Sequence, residues 1–191
     1  MSDKLKIGFA MCGSFCTFDR VIKQIEYLSE KYDIVPIMSE TAYTTDTRFG
    51  KASDFISKIE AITGHNIIHL ISQAEPIGPK KLLDALIIEP CTGNTLAKLA
   101  LGIADTSVTL AAKAHLRNAR PLIIAVSTND ALASNAKSIG MLLNQKNVYF
   151  VPFKQDDPTE KPASIVAVME QTEKTLVEAL GRSQIQPIIS E

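Results

Sequence analysis

Apolar residues fall along this chain in two alternating rhythms. Short unbroken runs, Leu5–Met11, Asp33–Met38 (DIVPIM), Ile67–Ile71, Asp84–Glu89 (DALIIE), Pro121–Val126 (PLIIAV) and Asn147–Phe153, have the length of strands. Their apolar residues are continuous rather than alternating, as expected where both faces of a strand are covered. Between them the spacing changes to three and four. Phe18, Val21, Ile22, Ile25 and Leu28 mark one helix. Ala52, Phe55, Ile56 and Ile59 mark another over Arg48–Thr63, closed by Gly64. Further helices are predicted over Thr95–Ile103, Ser107–Asn118, Asp130–Leu143 and Ala163–Leu180, the last with Ile165, Val168, Met169, Leu176 and Leu180 inward.

Strands that alternate with helices imply right-handed crossovers and a parallel sheet with helices on both faces. The expected fold is α/β and Rossmann-like, three layers α/β/α around a six-stranded parallel sheet of order 3-2-1-4-5-6. At 191 residues one such domain, 1–191, accounts for the whole chain. Ligands in these sheets sit outside the carboxyl ends of the strands. That rule selects four loops: Cys12–Thr17, Ser39–Thr47, Pro90–Thr95 and Ser127–Asp130.

Composition narrows the classes of function. A net charge of −1 gives no footprint for nucleic acid, and no apolar stretch is long enough to span a membrane. Met1-Ser2-Asp3-Lys4 runs straight into the first strand without a signal-peptide pattern, so a cytoplasmic protein is expected. Three cysteines do not make a disulfide framework. Cys12, Cys16 and Cys91 lack metal-ligand spacing, and His65 and His69 lie in a predicted strand without a carboxylate nearby, so no metal is expected. No Gly-x-Ser-x-Gly elbow is present, nor a dinucleotide fingerprint after the first strand.

The selected loops share small residues, hydroxyls and amides. Gly13-Ser14 stands where a strand turns into a helix, so amides and a hydroxyl converge as they do around a bound anion; a tight turn capped by Thr17 accounts for the same residues. Ser39 and Thr41 add hydroxyls, or form an ordinary Ser/Thr loop. In Pro90-Cys91-Thr92-Gly93-Asn94-Thr95 a glycine permits close backbone approach and Asn94 offers both donor and acceptor. Asn129 repeats that chemistry after the fifth strand, and helix capping is the alternative for both asparagines.

The block from Pro90 to Asp105 resembles the flavoprotein family of cysteine decarboxylases and flavin prenyltransferases, whose members carry Pro-Ala-Ser-Ala-Asn-Thr followed by Ala-Lys-x-Ala-x-Gly-Ile-Ala-Asp. Gly13-Ser14 falls on the family's first phosphate loop, and Asn129 on the asparagine of its Pro-x-Met-Asn motif. The resemblance implies flavin mononucleotide (FMN) bound at the edge of a homo-oligomer, a trimer or a dodecamer. It implies a cofactor site of Gly13, Ser14, Ser39, Thr41, Thr92, Gly93, Asn94 and Ser127, with Asn94 and Asn129 as candidate catalytic residues. The decarboxylases keep a histidine before the fourth strand, where Glu75-Pro76-Ile77-Gly78-Pro79-Lys80 has none, and Pro-x-Met-Asn becomes Val126-Ser127-Thr128-Asn129. Over KIGFAMCGSFCTF, AEPIGPKKLLDALIIEPCTGNT and VSTNDALASNAKSIG the chain is similar to a family member that serves as one component of a two-subunit oxidoreductase. That likeness implies a partner subunit carrying NAD or NADP and a substrate with two carboxylates, for which Arg48, Lys80 and Lys81 are the candidate cations. A stand-alone flavin enzyme of the decarboxylase or prenyltransferase type, and a non-catalytic scaffold with a vestigial pocket, remain the alternatives.

Overall fold

The structure, a computed structural model, describes residues 4–190; residues 1–3, with which the amino-terminal reading begins, lie outside the described residues. The chain runs β1 (Lys6–Met11), α1 (Phe18–Ser29), β2 (Asp33–Met38), α2 (Glu40–Thr44), α3 (Ala52–Thr63) and α4 (Ile71–Ala74). It continues through β3 (Ala85–Cys91), α5 (Gly93–Ala100), α6 (Ser107–Leu116), β4 (Leu122–Thr128), α7 (Ala136–Leu143) and β5 (Val148–Phe150). It closes with β6 (Phe153–Asp157), β7 (Lys161–Ala167) and α8 (Thr172–Leu180). The fold is α/β, with helices on both faces of a seven-stranded sheet.

The parallel part of the sheet has the expected order. β2 pairs β1, β1 pairs β3, β3 pairs β4, and β4 pairs β5, all parallel. The outermost expected strand, Ile67–Ile71, shrinks to one bridge between Ile68 and Ile37, and α4 begins at Ile71. Alternate residues of each strand feed two cores. Phe9, Ile87 and Ile123 face α1, α3 and α8 with Phe18, Ile25 and Leu176. Leu86, Ile88 and Ile124 face α5, α6 and α7 with Leu96, Val108 and Ile139. Burial on both faces is why these strands are apolar throughout.

The predicted helix over Ala163–Leu180 is two elements. Its first part is β7, which pairs antiparallel with β6 and with the last residues of β4. The α-helix begins only at Thr172, after a 3-10 turn over Met169–Gln171. Ile165 and Val166 are β-branched, and the turn before them is closed by the Asp157 carboxylate, which accepts from the amides of Thr159 and Glu160 at 3.1 and 3.0 Å. Local chemistry there selects a hairpin over a helix. The hydroxyl-rich segment Ser39–Thr47, expected as a loop, contains the short α2, with the Ser39 hydroxyl accepting from the Ala42 amide.

Candidate functional site

At the carboxyl ends of β1, β3 and β4 the loops enclose a cavity of about 940 Å³, within the range of small-molecule sites. Its floor combines Gly13 and Ser14 after β1, Thr92, Gly93 and Asn94 after β3, and Ser127, Thr128, Asn129 and Asp130 at the end of β4. Arg48 and Phe49 form part of one wall, and Asp156, Lys161 and Ser164 of the β6–β7 hairpin form another.

Hydrogen bonds within and between the loops hold the floor in place. The hydroxyls of Ser14 and Ser127, 113 residues apart, share a hydrogen bond of 2.9 Å. Thr92 caps α5, its hydroxyl accepting from the Thr95 amide and donating to the Thr95 hydroxyl. Thr95 in turn donates to the Cys12 sulfur at 3.2 Å. Gly93 and Asn94 open α5, where helical geometry supplies no intrahelical acceptor for the first amides, so this end carries free donors and the positive end of the helix dipole.

Gly93 has a second reason to lack a side chain. A Cβ there would stand 2.5 Å from Asn135 Nδ2, 2.7 Å from Asp130 Oδ1 and 2.8 Å from Thr128 Oγ1. Those three residues are one cluster. The Asp130 carboxylate accepts from Thr128 and Ser134 hydroxyls, both at 2.6 Å, and from the Asn135 amide at 2.7 Å. The hydroxyls of Ser134 and Thr128, with that amide, hold its carboxyl below the usual carboxylate range. Asp130 is thus a fixed anion that ties the loop after β4 to the start of α7, with Gly93 of α5 lying against it.

The two buried thiols are unreactive by environment. Burial pushes Cys12 up to about 11 and raises Cys91 well above its ordinary value, so both stay protonated near neutral pH. Cys16 is exposed on the cavity rim.

Of the residues selected from sequence, Gly13, Ser14, Thr92, Gly93, Asn94, Ser127, Asn129 and Arg48 converge on this cavity. Ser39 and Thr41 do not line it: Ser39 is spent as the cap of α2, and Thr41 packs its methyl beside Gly13. Lys80 and Lys81 are at the opposite edge of the sheet, in a concavity shared with Lys4, Lys6, Tyr32, Asp33 and Asp84. Topology explains this placement, because a crossover returns the chain to the amino ends of the strands and residues just before β3 must lie there. His65 does have a carboxylate partner, Asp33, at 2.6 Å, and His69 stacks on Tyr43. Among the described residues no cluster of His, Cys, Asp or Glu could hold a metal ion, and no helix is long and apolar enough to cross a membrane.

Sequence reasoning missed the hairpin wall, Phe49 and Arg20. Asp157-Pro158-Thr159-Glu160 followed by a β-branched pair was the available signal for the first. Arg20 and Phe49 carry no sequence signal beyond proximity to chosen loops.

The donor set suits a phosphate-bearing flavin: a helix start, a hydroxyl pair, small residues on the floor, and cations at Arg20, Arg48 and Lys161 on the walls. Comparison with known proteins agrees. The chain is 44% identical over 187 residues to the B subunit of dipicolinate synthase from Bacillus subtilis (strain 168), covering 97% of this chain and 94% of that one. The crystal structure of the corresponding B subunit from Bacillus halodurans superposes with a TM-score of 0.91 at 43% identity, covering 99% and 97% of the two chains. The FMN-dependent cysteine decarboxylase SpaF, at 23% identity and a TM-score of 0.65 over 92% of this chain and 97% of its own, shares the fold. The family model described as Flavoprotein matches residues 1–179, and the chain belongs to the flavoprotein family.

Proposed function

We propose that this chain is the B subunit of a dipicolinate synthase. It joins an A subunit to oxidise dihydrodipicolinate to dipicolinate in sporulation, within the cytoplasm. The likeness to the B subunits of two Bacillus dipicolinate synthases along almost the entire chain carries this reading. The lack of a dinucleotide fingerprint in the sequence agrees with a nicotinamide site on the A subunit. In the reaction the dihydropyridine ring loses a hydride and a proton and becomes aromatic; NAD or NADP on the partner takes the hydride, and solvent takes the proton.

FMN is the cofactor that fits the cavity. The amides opening α5 at Gly93 and Asn94 and the hydroxyls of Ser14 and Ser127 would hold its phosphate, and Gly13 keeps that end of the floor open. Bound flavin would supply a redox-active ring beside the substrate. Asn94 and Asn129, both exposed at the cavity, are placed to orient polar groups on either ligand. A homo-oligomer, trimer or dodecamer, belongs to the same reading and is measured by light scattering.

The test is a titration of the purified chain with FMN. Flavin fluorescence is expected to fall on binding, and Ser14→Asp is expected to abolish the effect by setting a carboxylate against the phosphate. Oxidation of dihydrodipicolinate is expected only when both polypeptides are present. Wild-type protein that binds no FMN would remove the cofactor from the proposal, and full activity of the A subunit alone would remove this chain from the reaction.

A further inference from the structure

Most charged groups of the cavity are already paired. Arg20 bonds Glu170 at 3.1 Å, Lys161 bonds Asp156 at 2.9 Å, and Asp130 is saturated by its own loop. Arg48 is different. Among the described residues it makes no ion pair, and its guanidinium carbon stands 4.9 Å from the centroid of the Phe49 ring. Phe49 itself is 45% exposed at the cavity wall, although the core holds every other phenylalanine at least in part.

These two residues are the tip of a braced turn. The Thr47 amide donates to the Gly50 carbonyl at 3.0 Å, and the Gly50 amide returns a bond to the Thr47 carbonyl at 3.1 Å. The Thr47 hydroxyl accepts from the Phe49 amide at 3.1 Å. Below the turn the Asp46 carboxylate accepts from the Ala52 amide that opens α3, at 2.8 Å. Gly50 adopts φ +149° and lies against the Phe55 ring, where a Cβ would come within 2.7 Å. Backbone amides bonded to Thr47, Gly50 and Asp46 therefore fix the tip, and the two exposed side chains take no part in those bonds.

We propose that Arg48 and Phe49 are specificity-determining residues that grip a planar ring bearing a carboxylate. A guanidinium presents two parallel N–H groups to one carboxylate, a match that an ammonium lacks. An aromatic face prefers a second flat ring in offset contact and gains little from a puckered one. A braced tip lowers the entropy lost when the ligand is held. The inference rests on the reading of this cavity as the site of the oxidation and deepens it: the clamp recognises the flat aromatic product and the nearly flat dihydropyridine rather than a dicarboxylate in general.

The test uses the full chain saturated with FMN and two small acids, pyridine-2,6-dicarboxylate and cis-piperidine-2,6-dicarboxylate. They carry the same carboxylates on a flat and a puckered ring. By calorimetry the wild type is expected to bind the pyridine acid more tightly. Arg48→Gln should weaken both acids about tenfold or more, the size of a lost charged hydrogen-bond pair. Phe49→Leu should weaken only the pyridine acid, by about three- to tenfold, and erase the preference for the flat ring. FMN affinity should be unchanged in both variants. Equal affinity of the wild type for the two acids, binding of neither, or an unaltered preference in Phe49→Leu would overturn the clamp. Loss of FMN binding in Arg48→Gln would assign the guanidinium to the cofactor phosphate and overturn it too. Failure of the wild type to bind FMN is a separate result: it removes the cofactor, and the clamp is then decided by the pyridine–piperidine pair measured without FMN.

Discussion

The residue on which the site depends most closely is Gly93. The family pattern has alanine at this place, yet here a methyl would press into Asn135, Asp130 and Thr128 at 2.5 to 2.8 Å. The Asp130 cluster fills the space that a Cβ would need, so glycine and cluster form a matched pair. Gly93→Ala is expected to destabilise the chain by about 1–3 kcal/mol, as overpacking does, and to weaken FMN binding by displacing the start of α5. Urea denaturation and the FMN titration check both; an unchanged midpoint would show that the cluster yields without cost. Gly13→Ala is the control for the urea midpoint alone, since its nearest protein neighbours would be 3.5 Å away, an ordinary contact. Sequence made half of this legible. A glycine at a strand-to-helix turn signals close approach, but it does not say whether the approaching group is a ligand or a carboxylate from another loop. Ser14 and Ser127 pose the same limit: each stands out within its own loop, and only the fold makes them partners.

At the scale of elements, the strands were the most legible feature because burial on both faces writes them as unbroken apolar runs. The hairpin of β6 and β7 was illegible for the opposite reason. Only its ends are buried, so Ile165 together with Met169 and Leu176 could be fitted to a helical spacing that the turn at Asp157 forbids. Lys80 and Lys81 show that sequence neighbourhood is not spatial neighbourhood. They sit before β3 and therefore at the amino edge, across the sheet from the cavity. Lys80→Ala and Lys81→Ala, singly or together, are accordingly expected to leave FMN binding and the apparent KM of the two-subunit enzyme unchanged. Steady-state kinetics decide it; a rise in KM beyond about threefold with kcat intact would mean lost substrate binding despite that separation.

Across the whole molecule, two buried titratable groups on different elements set how stability depends on pH. Glu89, at the end of β3, has no exposure and one partner, the Thr172 hydroxyl at 2.6 Å, while its other oxygen lacks any. Burial pushes its carboxyl from 4.5 up to about 8. His115 on α6 bonds the Pro121 carbonyl through Nε2, and burial lowers it from 6.5 to about 4. The signs oppose. Between pH 4.5 and 8 the native chain keeps a proton on Glu89 that the unfolded chain has released, so this group's stabilisation falls as pH rises. Between pH 6.5 and 4 the unfolded chain takes a proton on His115 that the native chain refuses, so stability falls as pH falls. From pH 4.5 to 6.5 the two slopes offset each other, and from 6.5 to 8 Glu89 acts alone, at about 1.4 kcal/mol per pH unit at most. Stability is therefore expected to be nearly level below pH 6.5 and to decline toward pH 8. Glu89→Gln, which keeps the shape and removes the proton, should abolish that decline and leave a profile that rises from pH 4.5 to 6.5. His115→Gln should leave the Glu89 slope exposed across the whole interval. Urea unfolding at half-unit steps of pH measures all three, and a wild-type profile that stays level from pH 6.5 to 8 would show that Glu89 is ionised in the folded chain.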